Sequence, residues 1–167
     1  MGQHEHHAAA PRTVTVAVVT LSDSRSPADD RTGDTIVALL EAAGHTVAGR
    51  ELVREDPPAI LAALEAALAG PAQAVILNGG TGIAPRDSTP EIVAPLLECE
   101  LPGFGELFRQ LSFREIGAAA MLSRALAGVA RGKLLFALPG SKAACQLALE
   151  RLILPELGHL VGELRKG

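Results

Sequence analysis

Ala74-Val75-Ile76-Leu77-Asn78-Gly79-Gly80-Thr81-Gly82 is the stretch whose reading decides the fold, with Pro85-Arg86-Asp87-Ser88-Thr89-Pro90 close behind it. An apolar run too short for a helix and closed by glycine reads as a strand that ends in a loop. Three glycines in four positions can adopt positive φ and leave backbone N–H groups bare, so the segment can wrap an anionic group where side chains would obstruct it. The plainer alternative is a tight strand-to-helix turn that needs glycine only for steric reasons. The neighbouring strand ends weigh between the two.

Working outward, residues 14–21 are β-branched and almost uniformly apolar, which suits a central strand covered on both faces. Ile36, Val37, Leu39, Leu40 and Ala43 recur at helical spacing from about Asp34 until Gly44. Residues 46–53 form a weaker strand. Pro57-Pro58 opens a helix striped by Ile60, Leu61, Leu64 and Leu68 and closed by Gly70-Pro71. Ser88 and Glu91 have capping-box spacing for a helix reaching about Leu97, with Thr89 a competing cap. Leu101-Pro102-Gly103-Phe104-Gly105 reads as a break, residues 106–113 as a short helix, and residues 118–130 as helix or strand. Residues 133–138 make the last strand, ended by Pro139-Gly140-Ser141-Lys142; the helix after it is expected to be interrupted by Pro155. Alternating strands and helices predict an α/β fold, a three-layer α/β/α domain with a mostly parallel sheet.

The 167 residues fit one domain, residues 13–167, behind a disordered leader, residues 1–12. That leader has no apolar core of a secretory signal, and its His4, His6 and His7 are discounted as a metal trap. A net charge of −4, no Trp or Tyr and only four Phe argue against a nucleic-acid partner. No apolar run reaches the ~18 residues a bilayer demands, so no membrane association is expected. Cys99 and Cys145 match no metal or disulfide spacing, which favours reduced thiols and a cytoplasmic location.

In an open α/β sheet ligands bind beyond the carboxyl ends of the strands. Here those ends read Ser22-Asp23-Ser24-Arg25, Arg54-Glu55-Asp56, Asn78 to Asp87, and Pro139-Gly140-Ser141-Lys142. Their coincidence with glycine-rich segments and helix starts favours an anion site over an isolated turn. Neither a Walker A nor a GxGxxG pattern is present. Asp23, Asp56 and Asp87 would repel a phosphate unless a divalent cation intervened, which points to Mg²⁺; Arg25, Arg86, Arg124 and Lys142 could add cations. Taken singly, each carboxylate could equally be a cap or turn residue. Asp56 before Pro57 is well placed for that role.

At these residues the chain resembles the molybdenum cofactor biosynthesis family, which includes bacterial molybdopterin adenylyltransferase, biosynthesis protein B and domains of gephyrin-type proteins. The resemblance runs from about Val14 to Leu157 through Leu21-Ser22-Asp23, Asp30-Arg31-Thr32-Gly33, Asn78 to Gly82, Asp87-Ser88-Thr89-Pro90, Pro102-Gly103-Phe104-Gly105-Glu106, Ser123-Arg124 and Leu138-Pro139-Gly140-Ser141. The segments 111–117 and 139–145 are closer to the protein B branch. The resemblance implies a homo-oligomer, trimer or hexamer, that works with other molybdenum cofactor pathway proteins. It implies adenylylation of molybdopterin by ATP with Mg²⁺, releasing pyrophosphate, or else molybdopterin or nucleotide binding without turnover. It places Asp56 and Asp87 as the catalytic, metal-orienting pair. Ser22, Asp23, Gly79, Gly80, Thr81, Gly82, Ser123, Arg124, Pro139, Gly140 and Ser141 are placed as substrate- or nucleotide-binding residues.

Overall fold

The computed structural model describes residues 10–166, and the leader histidines lie outside them. The strands are β1 (Thr15–Leu21), β2 (Thr46–Val53), β3 (Ala74–Asn78), β4 (Cys99–Glu100), β5 (Leu126–Ala130) and β6 (Lys133–Leu138). They form one sheet in the order β2-β1-β3-β6-β5-β4. β2, β1, β3 and β6 run parallel, as the alternating pattern predicts, while β5 and β4 extend the sheet antiparallel. The chain leaves β1 to one side for β2 and returns to the other for β3, so the order reverses beside β1 and opens a crevice at the carboxyl ends there.

The helices are α1 (Arg31–Ala42), α2 (Pro57–Ala69), α3 (Thr89–Val93), α4 (Pro102–Ile116), α5 (Lys142–Ala148) and α6 (Leu154–Leu164). Strand alternation sorts the core into two sets. Val16, Val18, Ile76, Leu134 and Phe136 meet Ile36, Leu40, Phe104, Phe108, Ile153 and Leu157 on one face. Val19, Leu21, Val75, Leu77 and Leu135 meet Ile60, Leu64 and Leu68 on the other. Each such aliphatic side chain contributes ~1.5–3 kcal/mol on full burial. The rings of Phe104 and Phe136 meet edge to face at 5.4 Å, which fixes α4 against β6.

Four expectations need correction. The four-strand reading missed β4 and β5. Residues 118–130 are neither all helix nor all strand: a 3-10 segment (Gly117–Leu122) precedes β5. A two-residue turn then joins β5 to β6, with Arg131 at φ 50° and Gly132 at φ 68°, the signs a tight hairpin requires. The break at residues 101–105 is absent, because Pro102 opens α4 and the glycines are helical. Gly105 is there for closeness, since a Cβ would stand 2.9 Å from the Ala125 carbonyl oxygen and 2.7 Å from Arg109 Nη2. Pro155 does not end its helix: a π-helical turn (Leu149–Ile153) shifts the bonding frame ahead of it, and α6 continues to Leu164.

Two boundaries also move. α1 starts at Arg31, three residues before Asp34, because the Asp30 side chain accepts the Gly33 N–H at 2.9 Å and caps it. Ser88 precedes α3 in the N-cap position but makes no capping bond. Thr89 does not cap either: its hydroxyl donates to the Gly79 carbonyl at 2.9 Å. Within the stretch expected to be leader, Ala10 and Pro11 lie against α6, and a Cβ on Gly158 would come 2.4 Å from the Pro11 carbonyl oxygen.

Candidate functional site

The glycine loop turns sharply after β3. Gly79 has φ 120° and Gly80 φ 64°. Side chains are excluded by contact as well: a Cβ on Gly79 would meet the Leu21 carbonyl oxygen at 2.4 Å, and one on Gly80 would meet Thr89 Oγ1 at 2.5 Å. Every loop carbonyl is engaged by the protein. Thr89 N–H donates to Gly80 O at 3.1 Å and Arg124 N–H to Thr81 O at 2.9 Å. The Arg124 guanidinium donates to Gly82 O and to Asp87 O, both at 2.8 Å, and also pairs with Glu91. In contrast, among the described residues the N–H groups of Gly80, Thr81 and Gly82 have no protein acceptor. The loop lines a cleft, where unengaged N–H groups of this kind form a donor cradle that can take an anion. Two buried oxygens flanking it, Asn78 Oδ1 and Ser88 Oγ, also lack partners.

Gly79, Gly80, Thr81, Gly82, Asp87, Ser123, Pro139, Gly140 and Ser141 all line one cleft of about 400 Å³. Gly140 packs on Gly79, with only 3.4 Å between a Cβ position on the former and the Cα of the latter. The Ser141 hydroxyl caps α5 by accepting the Ala144 N–H at 3.2 Å. The far wall was not foreseen: Phe108, Ser112, Ile116, Ala119, Ala120 and Leu122 supply an apolar side for a flat heterocycle. Segment 111–117 carries the branch resemblance, and the helical spacing of Phe108, Ser112 and Ile116 is the sequence signal for this wall.

The remaining expected residues fall elsewhere. Asp56 and Asp23 line a neighbouring cleft of about 440 Å³ with Arg54, Glu55 and Ala59. Asp56 Oδ2 accepts the Ala59 N–H at 3.3 Å, so its capping role is real. Asp23 Oδ1 accepts the Glu55 N–H at 3.1 Å and ties the β1 loop to the β2 loop. The Ser22 hydroxyl accepts the N–H groups of Ser24 and Arg25 at 3.3 and 3.2 Å and lines neither cleft. Arg124 also lies outside the cleft lining, its side chain tied to the loop's carbonyls and to Glu91.

Glu55, not singled out by the sequence, lines both clefts. Burial pushes its carboxyl above the ordinary value; Arg86, 3.6 Å away, opposes that, and the Asp23 and Asp87 carboxylates add to it. Three acidic groups therefore share one field where the two clefts meet. Among the described residues no set of three acidic, histidine or cysteine side chains is gathered tightly enough to cage a metal. Mg²⁺ is commonly held by one or two carboxylates together with substrate phosphates and water, and Asp56 and Asp87 are the carboxylates here that could serve. Asp87 Oδ2 accepts the Ala84 N–H at 2.8 Å, so Asp56 and Asp87 each spend one oxygen on the fold and keep another.

A mostly parallel sheet with a glycine loop and an apolar wall facing one cleft at its carboxyl edge has the build of a small-molecule binding domain. Residues 17–159 match the family model described as a probable molybdopterin binding domain, and the chain belongs to that molybdenum cofactor biosynthesis family. It is 46% identical to molybdenum cofactor biosynthesis protein B of Bacillus subtilis and 49% identical to the protein of that name from Halalkalibacterium halodurans, in each case over 99% of both chains. A crystal structure of molybdenum cofactor biosynthesis protein B superposes with a TM-score of 0.91 at 46% identity, covering 95% of this chain and 99% of the other. No helix among the described residues is long and apolar enough to cross a membrane.

Proposed function

We propose that the protein is a molybdopterin adenylyltransferase. The carrying observation is the glycine loop, whose carbonyls are all engaged while the N–H groups of Gly80, Thr81 and Gly82 face no protein acceptor. Those donors take the molybdopterin phosphate, and the apolar wall of Phe108, Ile116 and Leu122 takes the pterin. An oxygen of that phosphate attacks the α-phosphorus of ATP. A new P–O bond forms as the bond to the bridging oxygen breaks, and the electron pair leaves with pyrophosphate. A phosphate monoester has a second pKa of ~6, so the nucleophile is already largely ionised at neutral pH and needs no strong general base. Rate enhancement comes from alignment and from donors fixed where charge develops.

Asp56 and Asp87 would hold Mg²⁺, which when bound supplies charge neutralisation at the ATP phosphates. Glu55, between them, sets the field at the junction of the two clefts. Self-association is supported by the exposed apolar side chains Leu107, Phe113 and Met121 on α4 and the segment after it, which lie outside the cleft lining, since exposed apolar surface of this kind can mark an interface.

One observation favours the second reading, a molybdopterin- or nucleotide-binding protein without turnover: Asp56 is engaged as a helix cap and lines a different cleft from Asp87. Turnover by the wild type separates the two, and Asp87→Asn then tests the residue. On the enzyme reading it abolishes Mg²⁺-dependent pyrophosphate release with the fold intact; a folded variant that still turns over would remove Asp87 from the mechanism.

A further inference from the structure

Asp30-Arg31-Thr32-Gly33 has no part in the reaction just described, yet it is built with care. Asp30 is a carboxylate only 1% exposed. Capping α1 needs one accepting oxygen, which Asn or Ser could provide, but Asp30 has further partners. It accepts the Gly33 N–H at 2.9 Å and Arg50 Nη2 at 3.0 Å, and Arg25 Nη1 stands 3.7 Å away. Burial alone would raise its pKa; the Gly33 N–H, the Thr20 hydroxyl and the Arg50 guanidinium outweigh that and hold the carboxyl below its ordinary value. Gly33 is glycine because a Cβ would sit 2.1 Å from Asp30 Oδ2 and 2.9 Å from Arg50 Nε.

The groups gathered around Asp30 reach both near walls of the cleft. Arg25 Nη2 and Thr32 Oγ1 each donate to the Gly140 carbonyl oxygen at 3.1 Å. On the other side Asn78, the residue before the glycine loop, donates through Nδ2 to Thr20 Oγ1 at 3.0 Å, and the Thr20 hydroxyl is among the groups that hold the Asp30 carboxyl low. Thr20, Asp30, Thr32 and Asn78 are all buried. In a planar trans peptide the N–H points opposite the carbonyl. Pinning Gly140 C=O therefore fixes the direction of the Ser141 N–H, which has no protein acceptor among the described residues.

We propose that Asp30 and Thr32 are positioning residues for the cleft: the buried carboxylate fixes Arg25, and Arg25 with Thr32 holds the Gly140 carbonyl back so that the Ser141 N–H is presented to the ligand phosphate. The proposal rests on the reading of this cleft as the phosphate site. The test compares Thr32→Val, Thr32→Ser and Asp30→Asn with the wild type by molybdopterin affinity, unfolding midpoint, and hydrogen exchange at Ala144 and Cys145. Those two amides donate to Ser141 Oγ at 3.2 Å and Ser141 O at 3.1 Å and so report on the loop.

Thr32→Val is expected to weaken molybdopterin binding about tenfold, ~1.4 kcal/mol, and to speed exchange at both amides while leaving the unfolding midpoint near the wild-type value. Thr32→Ser restores both; Asp30→Asn gives the same weaker binding and faster exchange, with a lower unfolding midpoint because it also removes the charge that Arg50 pairs with. Unchanged exchange in Thr32→Val and Asp30→Asn overturns the proposal, as does a loss that follows the unfolding midpoint and is not rescued by Ser. Should the wild type fail to bind molybdopterin, the site reading falls, and the exchange measurement still decides whether these residues order the loop.

Discussion

Gly79→Ala tests the geometry at the heart of the cleft. The substitution meets two obstacles. The first is conformational, because φ 120° at Gly79 is reached by few residues other than glycine, at a cost of ~1–3 kcal/mol. The second is steric: the new Cβ would lie 2.4 Å from the Leu21 carbonyl oxygen, whereas ordinary contact begins near 3.4 Å. Leu21 is a buried strand residue, so neither partner can yield without disturbing β1 or β3, and overpacking of this kind adds ~1–3 kcal/mol. The sum, roughly 2–6 kcal/mol, lowers the melting temperature by on the order of 10 °C for a chain of this size. Gly44→Ala is the control. Its φ is 84°, but nothing lies within 4 Å of the added Cβ, so it bears only the backbone term, ~1–2 kcal/mol. Thermal unfolding of both variants at equal protein concentration separates the two costs. Equal losses at the two positions would refute the claim that close packing against Leu21 demands glycine at 79.

Other outcomes are as specific. His45 Nδ1 accepts the Val14 N–H at 3.2 Å, and burial lowers its pKa; the unfolded chain therefore binds its proton more readily. That contribution to stability is complete above pH ~6.5 and is lost as pH falls through the lower folded value, so the urea midpoint should decline on acidification and His45→Leu should flatten the decline. Cys145 is fully buried, its thiol pushed up to about 12 by desolvation, while Cys99 is exposed; a thiol reagent should titrate one cysteine in the native protein and two in urea. Phe113 is 61% exposed on α4, and Phe113→Glu should shift sedimentation toward the monomer if that face joins copies of the chain.

Strands with both faces covered declare themselves by composition alone, which is why β1, β3 and β6 were legible. β4 has two residues and no apolar signature, and β5 contains small residues, Ala127 and Gly128, that fit helix or strand equally well. Gly128 answers to tertiary contact, since a Cβ there would meet the Cys99 carbonyl oxygen at 2.4 Å. The glycine loop and segment 139–141 were readable because their chemistry is carried by backbone N–H groups and needs small residues. Glu55 was not: its significance comes from the two clefts it joins, and neighbouring Asp56 offered a simpler reason for an acidic residue at a helix start. Arg124 shows the reverse case. Sequence marks it as a candidate ligand cation, while the fold uses its fork of donors to hold Gly82 and Asp87.

Incubation of the purified wild-type protein with molybdopterin, ATP and Mg²⁺, followed by chromatography of the pterin and quantitation of pyrophosphate, tests the central claim most directly. The account predicts adenylylated molybdopterin and pyrophosphate in equal amounts, both dependent on Mg²⁺. Saturable molybdopterin binding with neither product would contradict it and leave a protein that holds the pterin without activating it.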